Sequence, residues 1–504
     1  MYLRKSKLAR ERPLLALNGP YLALLLGLLA VAAAIVQLMI GASIDVVGFA
    51  LVATAAGLFG FVVLGAYNIA AWLALFYTLG NVLVALVAKT LLGQPLDSFL
   101  YAPLNSFVAL AITSTGLLAA LLLVRHARLG RPLFRGVSNP RFLSFLSWVC
   151  FGLGGIFWLL NRSFQDPTGS GFGGIAFFRD LLLMSVIART AMLLEKSQYH
   201  RAFDGRLGLI IAISVFFGLI DNQKTMMALP VISHFLTVLF YRRGMSLRSM
   251  VVLLIGAIIF VSVIGPAIHA FRVMGQSGMS MAQRIELVVS TAAIVVESPQ
   301  SFQGLERLAA TQFGKGHYNY FGEAGAGQMV LGRFASVQQI DPVIAAVDRG
   351  KTRGGSAIWP AFGRLLPSFL YRDKAQYGES YHTLVYYGLI HPNGGKYPTL
   401  PLTGQAYASY GFVGVFFIPF LTFLGFCLLV KKLGWHLQQN VYAIFFFCDF
   451  VIVYASQGDF GQYAGATLRN FPLLAIVFWL IAQTYRLWIK QPRYRSRAQL
   501  RSEC

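Results

Sequence analysis

The chain has 504 residues, of which 57% are hydrophobic and only 12% are charged. A soluble protein of this size could not cover its surface with so few charges. Uncharged runs such as 21–40 have the length of a membrane span. The composition therefore excludes a soluble enzyme, a secreted disulfide scaffold and a disordered chain. Because the apolar runs are continuous rather than alternating, we predict an all-α polytopic membrane protein and not a transmembrane barrel.

The chain carries 42 basic and 19 acidic residues, which gives a net charge of +23. Such an excess could indicate nucleic-acid binding. The basic residues lie, however, in short clusters between apolar runs, as the positive-inside bias requires. We therefore expect the lipid bilayer as a partner and no nucleic acid. Three of the four cysteines lie in apolar runs, which predicts neither a disulfide framework nor a metal site.

Hydropathy predicts about twelve transmembrane helices. The first follows a basic N-terminus and is too long for a cleaved signal sequence. In chain order the predicted spans are 21–40, 46–66, 69–90, 105–124, 142–160, 175–193, 207–221, 225–241, 249–266, 404–430, 440–456 and 471–488.

Charge differs between the two sides on which the connections alternate. The connections that share the side of the N-terminus hold, together with Arg486, 24 Lys and Arg residues. The short connections on the other side hold three, which are Arg162, Lys224 and Arg469. This asymmetry predicts that both termini are cytoplasmic.

One outer connection, 267–403, is about 137 residues long. Loops of this length are usually functional. Apolar residues recur at helical spacing in 282–296, 301–313 and 333–347, which predicts a mostly helical subdomain. The chain thus divides into spans one to nine (1–266), the large loop (267–403) and spans ten to twelve with a basic tail (404–504).

The large loop contains twelve basic residues. A solvated surface explains most of them, including Arg284 and Arg307. Arg272 and Lys224 differ, because each begins an outward segment directly after a span. A cation at that level suits a lipid-linked phosphate or diphosphate, which arginine binds bidentately without losing its proton.

The loop and the start of the next span are also rich in tyrosine. Tyrosines near span ends are typical of an interfacial aromatic belt. Those from Tyr371 to Tyr397 lie far from span ends, which favours a carbohydrate cleft. Candidate acids and bases in the same stretch, predicted to be irregular, include Asp373, Glu379 and His382.

Several catalytic motifs are absent from the sequence, namely HExxH, a Walker loop, GxSxG and DxD. The segment 169–174 matches GxGxxG, but it follows a membrane helix and lacks a βαβ context, so we interpret it as a flexible turn. We therefore predict an enzyme that needs no nucleotide, no cofactor and no metal.

Two segments resemble a known family. The segment 365–374 has the sequence LLPSFLYRDK, which resembles the "PR-aromatic-x-W-P-D-K-P" segment in the periplasmic loop of Wzy-type O-antigen and exopolysaccharide repeat-unit polymerases. The segment 403–414, TGQAYASYGFVG, is similar to the family's "GE-x-Y-x-N-F-G-x-x-G". The turn 222–225 resembles the family's outward basic turn, and Arg272 and Arg333 fall where the family has periplasmic arginines. The resemblance covers roughly 207–425.

The sequence departs from the family pattern at three positions. Ser368 stands in place of arginine, Arg372 in place of proline, and Gln405 in place of glutamate. Arg364 lies one helical turn before Ser368 and would supply the missing charge if that segment is helical.

The resemblance implies a GT-C-like glycosyltransferase of the bacterial inner membrane. Its donor and acceptor would be undecaprenyl-diphosphate-linked oligosaccharides, with a chain-length regulator as a candidate partner. It implies that the catalytic residues are Arg272, Arg333, Asp373 and Glu379. The implied substrate-binding residues are Lys224, Arg364, Arg372, Lys374, Tyr381, His382 and Tyr407.

Other functions stay open at the level of sequence. An O-antigen ligase would use similar chemistry but transfer a finished chain. A lipid-linked sugar flippase or other transporter would place charges inside the membrane, and Asp449 with the neighbours Arg179 and Asp180 would suit that function. A structural assembly subunit is a third alternative.

Overall fold

A computed structural model gives the fold of the chain. It describes residues 15–16, 18–163, 176–221, 223–242, 244–245, 251, 255–256, 283, 286, 290, 320–321, 335–365, 379–390 and 399–490. Within these ranges the regular structure is helical apart from a two-residue antiparallel pairing of Leu15–Ala16 with Gly244–Met245 and an isolated bridge between Asn68 and His436.

The described helices are numbered here in chain order. They are α1 (Gly19–Met39), α2 (Ile44–Leu64), α3 (Ile69–Leu91), α4 (Pro103–His126), α5 (Pro140–Ser163), α6 (Leu181–Lys196), α7 (Gly205–Ile220), α8 (Lys224–Arg242), α9 (Val337–Asp348), α10 (Pro360–Leu365), α11 (Glu379–Tyr386), α12 (Leu402–Leu433), α13 (Val441–Tyr454) and α14, which joins Phe460–Gly465 to Phe471–Lys490.

Eight of the described helices are long and apolar enough to cross a membrane, which makes the chain a multi-pass membrane protein. They are α1, α2, α3, α4, α5, α8, α12 and α14. The helices α7 and α13 are apolar but shorter. The helix α6 has 16 residues and follows a 3₁₀ turn, Ala176–Asp180. The predicted span 249–266 lies outside the described residues, except for 251 and 255–256.

Polar side chains fix the first turn of several helices. Asn18, Asn68, Asp204 and Asn440 each accept a hydrogen bond from a backbone N–H of the helix that follows. These are the residue types that cap helix N-termini best. Apolar composition therefore sets which segments are helical, and these caps set where four of the helices begin.

The helix α14 differs from the sequence prediction. Hydropathy assigned 457–470 to an outer connection, but the structure is already helical from Phe460 and passes through a π-helical turn, Ala466–Asn470. Asp459 caps this helix in a capping box with Gln462. Arg469 therefore lies within a helix and not in a connection.

Part of the large connection packs among the long helices. Asp341, on α9, is fully buried and accepts hydrogen bonds from the backbone N–H groups of Tyr101 (2.7 Å) and Ala102 (2.9 Å) and from the Ser106 hydroxyl (2.9 Å). Asp341 thus caps the N-terminus of α4 from a distant part of the chain. This contact fixes α9 against the membrane helices.

A second anchor of the same connection surrounds Lys89, whose side chain is fully buried at the end of α3. Its ammonium group donates to the Ser98 hydroxyl (2.8 Å) and to Gln94 Oε1 (3.1 Å). It also lies 4.3 Å from the centroid of the Tyr320 ring, and the Tyr320 hydroxyl donates to the Leu96 carbonyl oxygen. Lys89 therefore joins 320–321 to the α3–α4 connection.

Candidate functional site

The helix α12 is broken close to its N-terminal end. Tyr410 (φ −144°, ψ 27°) and Gly411 (φ 57°, ψ −143°) have non-helical backbone angles, which divide α12 into 402–409 and 412–433. The conformation of Gly411 is essentially restricted to glycine. Irregular backbone at membrane depth is tolerated only where it is buried or lines a cavity, and broken helices often mark binding sites. The sequence predicted this span as one continuous helix.

The turn that follows α9 packs on the first part of α12. The backbone N–H of Arg353 donates to the Ala408 carbonyl oxygen at 2.9 Å. The Arg353 side chain folds back over a 3₁₀ turn, Gly354–Ala357, and donates to the carbonyl oxygen of Ser356 (3.2 Å) and to the Thr383 hydroxyl (2.9 Å) on α11. The guanidinium lies 5.5 Å from the centroid of the Tyr386 ring.

The charge of Arg353 has no counter-charge among the side chains that the structure describes. Its acceptors among the described residues are all neutral oxygens, and the side chain is half-buried. Burial lowers the pKa of Arg353 from its ordinary value, and the nearby phenols of Tyr387 and Tyr386 oppose that shift. An arginine keeps its proton under these conditions. The site therefore holds a fixed positive charge with N–H groups left to donate.

Tyr387 stands beside this charge. Its side chain is 9% exposed, and its buried hydroxyl has no hydrogen-bond partner within the described part of the chain. Burial raises the pKa of Tyr387 to about 12; Tyr386 acts in the same direction and Arg353 in the opposite one. The phenol is therefore a protonated donor at neutral pH. A buried hydroxyl without a partner costs about 1–3 kcal/mol, so its retention beside a cation indicates a missing acceptor.

Aromatic rings surround the same turn and are exposed. Trp359 is 66% exposed, Tyr386 54%, Tyr410 53% and Phe362 39%. The Trp359 and Phe362 ring centroids lie 5.6 Å apart. Phe362 in turn packs on Phe460 at 5.5 Å, which ties α10 to the start of α14. We call Arg353, Tyr387 and the adjacent Tyr386 ring the Arg353 site, and the rings of Trp359, Phe362 and Tyr410 lie next to it.

A buried hydrogen-bond network holds α11 beside the broken helix. The Ser380 hydroxyl donates to Asp459 Oδ2 at 2.6 Å, and Gln405 Nε2 lies 3.4 Å from the same hydroxyl. Gln405 Oε1 accepts from the Phe460 N–H at 2.7 Å. Ser380, Gln405 and Asp459 are 3%, 0% and 5% exposed, so water does not compete for these bonds. The network fixes α11, and with it Thr383, relative to α12 and α14.

Three of the predicted binding residues lie on the elements of the Arg353 site. Tyr407 precedes Ala408 on α12, but its ring is 3% exposed and its hydroxyl donates to Asp348 at 2.6 Å. This hydrogen bond therefore joins α12 to α9. Tyr381 is 6% exposed and packs edge-on against the exposed ring of His382 on α11. The segment Glu379–Tyr386, which was predicted to be irregular, is helical. Its Ser380 and Thr383 side chains contact Asp459 and Arg353.

The other predicted site residues are placed only in part. Glu379 begins α11 and Arg364 lies on α10, with only their backbones described. The described part of α10 extends to Leu365, and Ser368 lies outside the described residues. The remaining predicted residues lie outside the described ranges, and they are Arg272, Arg333, Arg372, Asp373 and Lys374.

Lys224 belongs to a second polar group. It begins α8 three residues after Asp221, which lies 3.9 Å from Arg179. Asp221 also accepts from the Trp158 indole N–H at 2.9 Å. Arg179 lies 3.6 Å from Asp180, as their adjacency at a helix start suggested. This second group joins the ends of α5 and α7 to the start of α6.

Sequence reasoning counted Arg353 among the loop bases without singling it out, and it missed Trp359 and Phe362. The available signal was an arginine directly before two glycines, with a tryptophan six residues and a proline seven residues after the arginine. Among the described residues, no group of three or more His, Cys, Asp and Glu side chains could hold a metal ion. The three described cysteines, Cys150, Cys427 and Cys448, are buried free thiols.

Comparisons of the chain with protein-family models, with characterised proteins and with solved structures find no match.

Proposed function

We propose that this protein is a bacterial inner-membrane glycosyltransferase that polymerises undecaprenyl-diphosphate-linked oligosaccharide repeat units into O-antigen or exopolysaccharide. The observation that carries this proposal is Arg353. Its guanidinium is held by neutral oxygens beside an unpartnered buried phenol and exposed aromatic rings. A ligand with an anion and flat, hydroxyl-rich faces supplies an anionic acceptor for the guanidinium and the phenol, and a stacking partner for the exposed rings. A glycan on a lipid diphosphate has this composition.

In the proposed reaction the protein positions the donor and the acceptor and stabilises the charge that develops. The acceptor hydroxyl oxygen bonds to the anomeric carbon of the donor while the bond from that carbon to the diphosphate oxygen breaks. The electron pair leaves with the diphosphate, and the hydroxyl proton passes to a base, for which Asp373 and Glu379 are the candidates. Arg353 stabilises the charge that develops on the diphosphate, and the Tyr387 phenol donates to the same anion. No nucleotide, metal or other cofactor is required in this scheme.

The residues implied by the family resemblance fit into the same scheme. Arg272, Arg333 and Lys224 would clamp the diphosphate at the level of the outer leaflet. Arg364, Arg372 and Lys374 would contact the glycan–diphosphate junction. Tyr381, His382 and Tyr407 lie on the helices that flank Arg353, so they would act on the ligand directly or through those helices.

The proposed topology has twelve spans, cytoplasmic termini and a periplasmic segment 267–403. The motivation is the division of basic residues in the sequence, with 24 on one side against three on the other, of which Arg469 lies within α14 and two remain. Reporter fusions at residues 130 and 350 are expected to report opposite sides of the membrane. If both report the same side, this topology is wrong.

The decisive experiment uses the purified full-length protein in nanodiscs with its lipid-linked repeat unit. A polymerase converts the substrate into a ladder of products, in the presence of EDTA and without nucleoside triphosphate. A ligase gives one capped product and only when an acceptor core lipid is added. Loss of the ladder on chelation, restored by Mg²⁺ or Mn²⁺, would contradict the metal-free scheme.

A second candidate function is transport of a lipid-linked sugar. Asp449 favours it, because it lies within the apolar helix α13, and charged residues within membrane helices commonly mark transport pathways. Vesicles that contain the protein would then move a fluorescent lipid-linked oligosaccharide across the bilayer without changing its length. A ladder without such movement favours the polymerase.

A further inference from the structure

The exposed rings of Trp359 and Phe362 differ from the lipid-facing aromatics of the long helices. Trp479 is similarly exposed, at 55%, but it lies within the span Phe460–Trp488, beside the exposed apolar residues Ile476 and Leu480. Trp359 lies instead between Ser356 and Pro360, which are exposed, close to the charged Arg353. Its surroundings are thus polar rather than lipid-like.

Trp359 is also held in one orientation. Its backbone N–H donates to the Gly355 carbonyl oxygen at 2.9 Å. The edge of the indole that carries Nε1 packs so closely on Gly355 that a methyl group added there would overlap the ring. The Tyr410 hydroxyl reaches the same point, 3.1 Å from the position of that methyl group. Both polar ends therefore converge on Gly355, while 66% of Trp359 stays exposed.

We infer that Trp359, with Phe362 and Tyr410, forms a sugar-stacking subsite that binds a ring of the glycan next to the Arg353 site. The C–H face of a pyranose ring packs on an exposed aromatic face, while its hydroxyls need donors and acceptors at the rim. The Trp359 indole N–H and the Tyr410 hydroxyl meet at Gly355, and Arg353 precedes the same turn and donates to Ser356 within it. Continuity with the Arg353 site and the presence of these polar groups favour a glycan as the occupant over a lipid chain. The inference rests on the proposed function for the nature of the ligand.

A binding experiment tests the subsite without any need for catalysis. The probe is the lipid-free oligosaccharide released by mild acid from the lipid-linked pool of the source cells. Binding to the full-length protein in nanodiscs is followed by calorimetry. Trp359→Ala is expected to weaken binding roughly tenfold or more, as removal of a central tryptophan typically does. Trp479→Ala, the matched control, is expected to leave binding unchanged.

Gly355→Ala provides a second variant that keeps the indole. The backbone of Gly355 is outside the left-handed region, so alanine is compatible with it, but the methyl group must displace Trp359. Binding is expected to weaken nearly as much as in Trp359→Ala. Wild-type affinity in both variants, or no binding by the wild-type protein, would overturn the subsite.

Nanodiscs with brominated lipids separate the glycan from a membrane role. Bromine quenches the fluorescence of tryptophans that contact lipid tails. The part of the fluorescence that disappears in Trp479→Ala is therefore expected to be quenched in the wild-type protein. The part that disappears in Trp359→Ala is expected to escape quenching. Equal quenching would make Trp359 a membrane anchor and overturn the inference.

If a polymer ladder forms but Trp359 does not affect oligosaccharide binding, the subsite alone fails. If the oligosaccharide binds through Trp359 but no ladder forms, the proposed function alone fails.

Discussion

The backbone N–H of Arg353 donates to the carbonyl oxygen of Ala408, two residues before the break in α12, at a distance of 2.9 Å. This single bond joins a turn of the large connection to the last helical residues of 402–409. It places the half-buried cation of Arg353 at the point where a membrane helix stops being regular. The Arg353 site therefore depends on the break and on the turn together.

Arg353 is expected to be the most sensitive described residue of the site. Arg353→Ala should lower the rate of polymer formation by about 10²–10³, the usual effect of removing a donor that stabilises developing charge. Arg353→Lys should recover only part of the rate, because an ammonium group cannot bind an anion bidentately. The measurement is ladder formation by purified, correctly folded protein.

Arg349 and Lys351 are the matched controls for Arg353. Both are exposed cations within four residues of it. Alanine at either position should leave the rate within about twofold, because solvent screens exposed charges. If all three alanine variants lose activity equally, the effect is a general loss of positive charge and the assignment of Arg353 fails.

Tyr387→Phe separates ligand binding from stability. The phenol has no partner in the described protein, so its removal should leave the free energy of unfolding unchanged or raise it by about 1 kcal/mol. The anion, however, should lose a donor, which raises KM roughly tenfold. Thermal unfolding and substrate titration on the same sample measure both effects. A stable variant with wild-type kinetics would show that the hydroxyl does not meet the ligand.

The pH dependence of substrate binding follows from the same two donors. Burial raises the pKa of Tyr387 to about 12, and Arg353 keeps its proton although burial lowers its pKa. Neither donor loses its proton below about pH 10, so their contribution to binding should stay constant from pH 7 to 10 and fall only above it. In Arg353→Lys, burial should lower the pKa of the new ammonium below its usual ~10.4. The ratio of KM between this variant and the wild type should therefore rise between pH 8 and 10.

The membrane helices could be predicted because hydropathy acts over whole spans. The predicted span 105–124, for example, lies within Pro103–His126. The prediction failed where local hydropathy does not determine geometry. The helix α14 begins at Phe460 because Asp459 and Gln462 form a capping box, a signal weaker than the hydropathy of 471–488.

The Arg353 site was beyond prediction because it forms between elements that are distant in sequence. Arg353 reaches Thr383 on α11 and Ala408 on α12, and neither partner is visible from sequence spacing. The sequence did mark Tyr407 and His382 through their residue types and neighbours. It could not show that the Tyr407 hydroxyl donates a hydrogen bond to Asp348.

Gln405 is expected to be required as an amide. Gln405→Glu introduces the glutamate of the polymerase segment that 403–414 resembles. It also places a second buried carboxylate beside Asp459, and the single Ser380 hydroxyl can donate to only one of the two. Buried, unpaired charge is costly, so the variant should lose roughly 3 kcal/mol of stability at neutral pH. The loss should shrink as the pH falls, because the protonated carboxyl can donate to Ser380. Thermal unfolding between pH 5 and 8 measures it.

Gln462→Glu serves as the control for that variant, since glutamate is an accepted partner in a capping box and should cost less than about 1 kcal/mol. If Gln405→Glu is as stable as the wild type at every pH, the buried network does not constrain the charge at this position.

Gly411 provides the test of the broken helix. With φ at 57° and ψ at −143°, it occupies a region that residues with a side chain rarely adopt, so Gly411→Ala should cost about 1–3 kcal/mol. The strain should also move Tyr410, its neighbour, from its place beside Gly355, and polymer formation should fall even at temperatures where the variant is folded.

Gly425→Ala is the matched control, because it lies in the regular part of α12 with no atom within 4 Å of the added methyl group. Alanine favours a helix by about 1 kcal/mol over glycine, so the control should be as stable as the wild type or more so. Thermal unfolding and ladder formation are measured for both variants. Equal stability and activity of the two would mean that the helix does not need its break, and that the geometry of Arg353 and Tyr410 is set by other contacts.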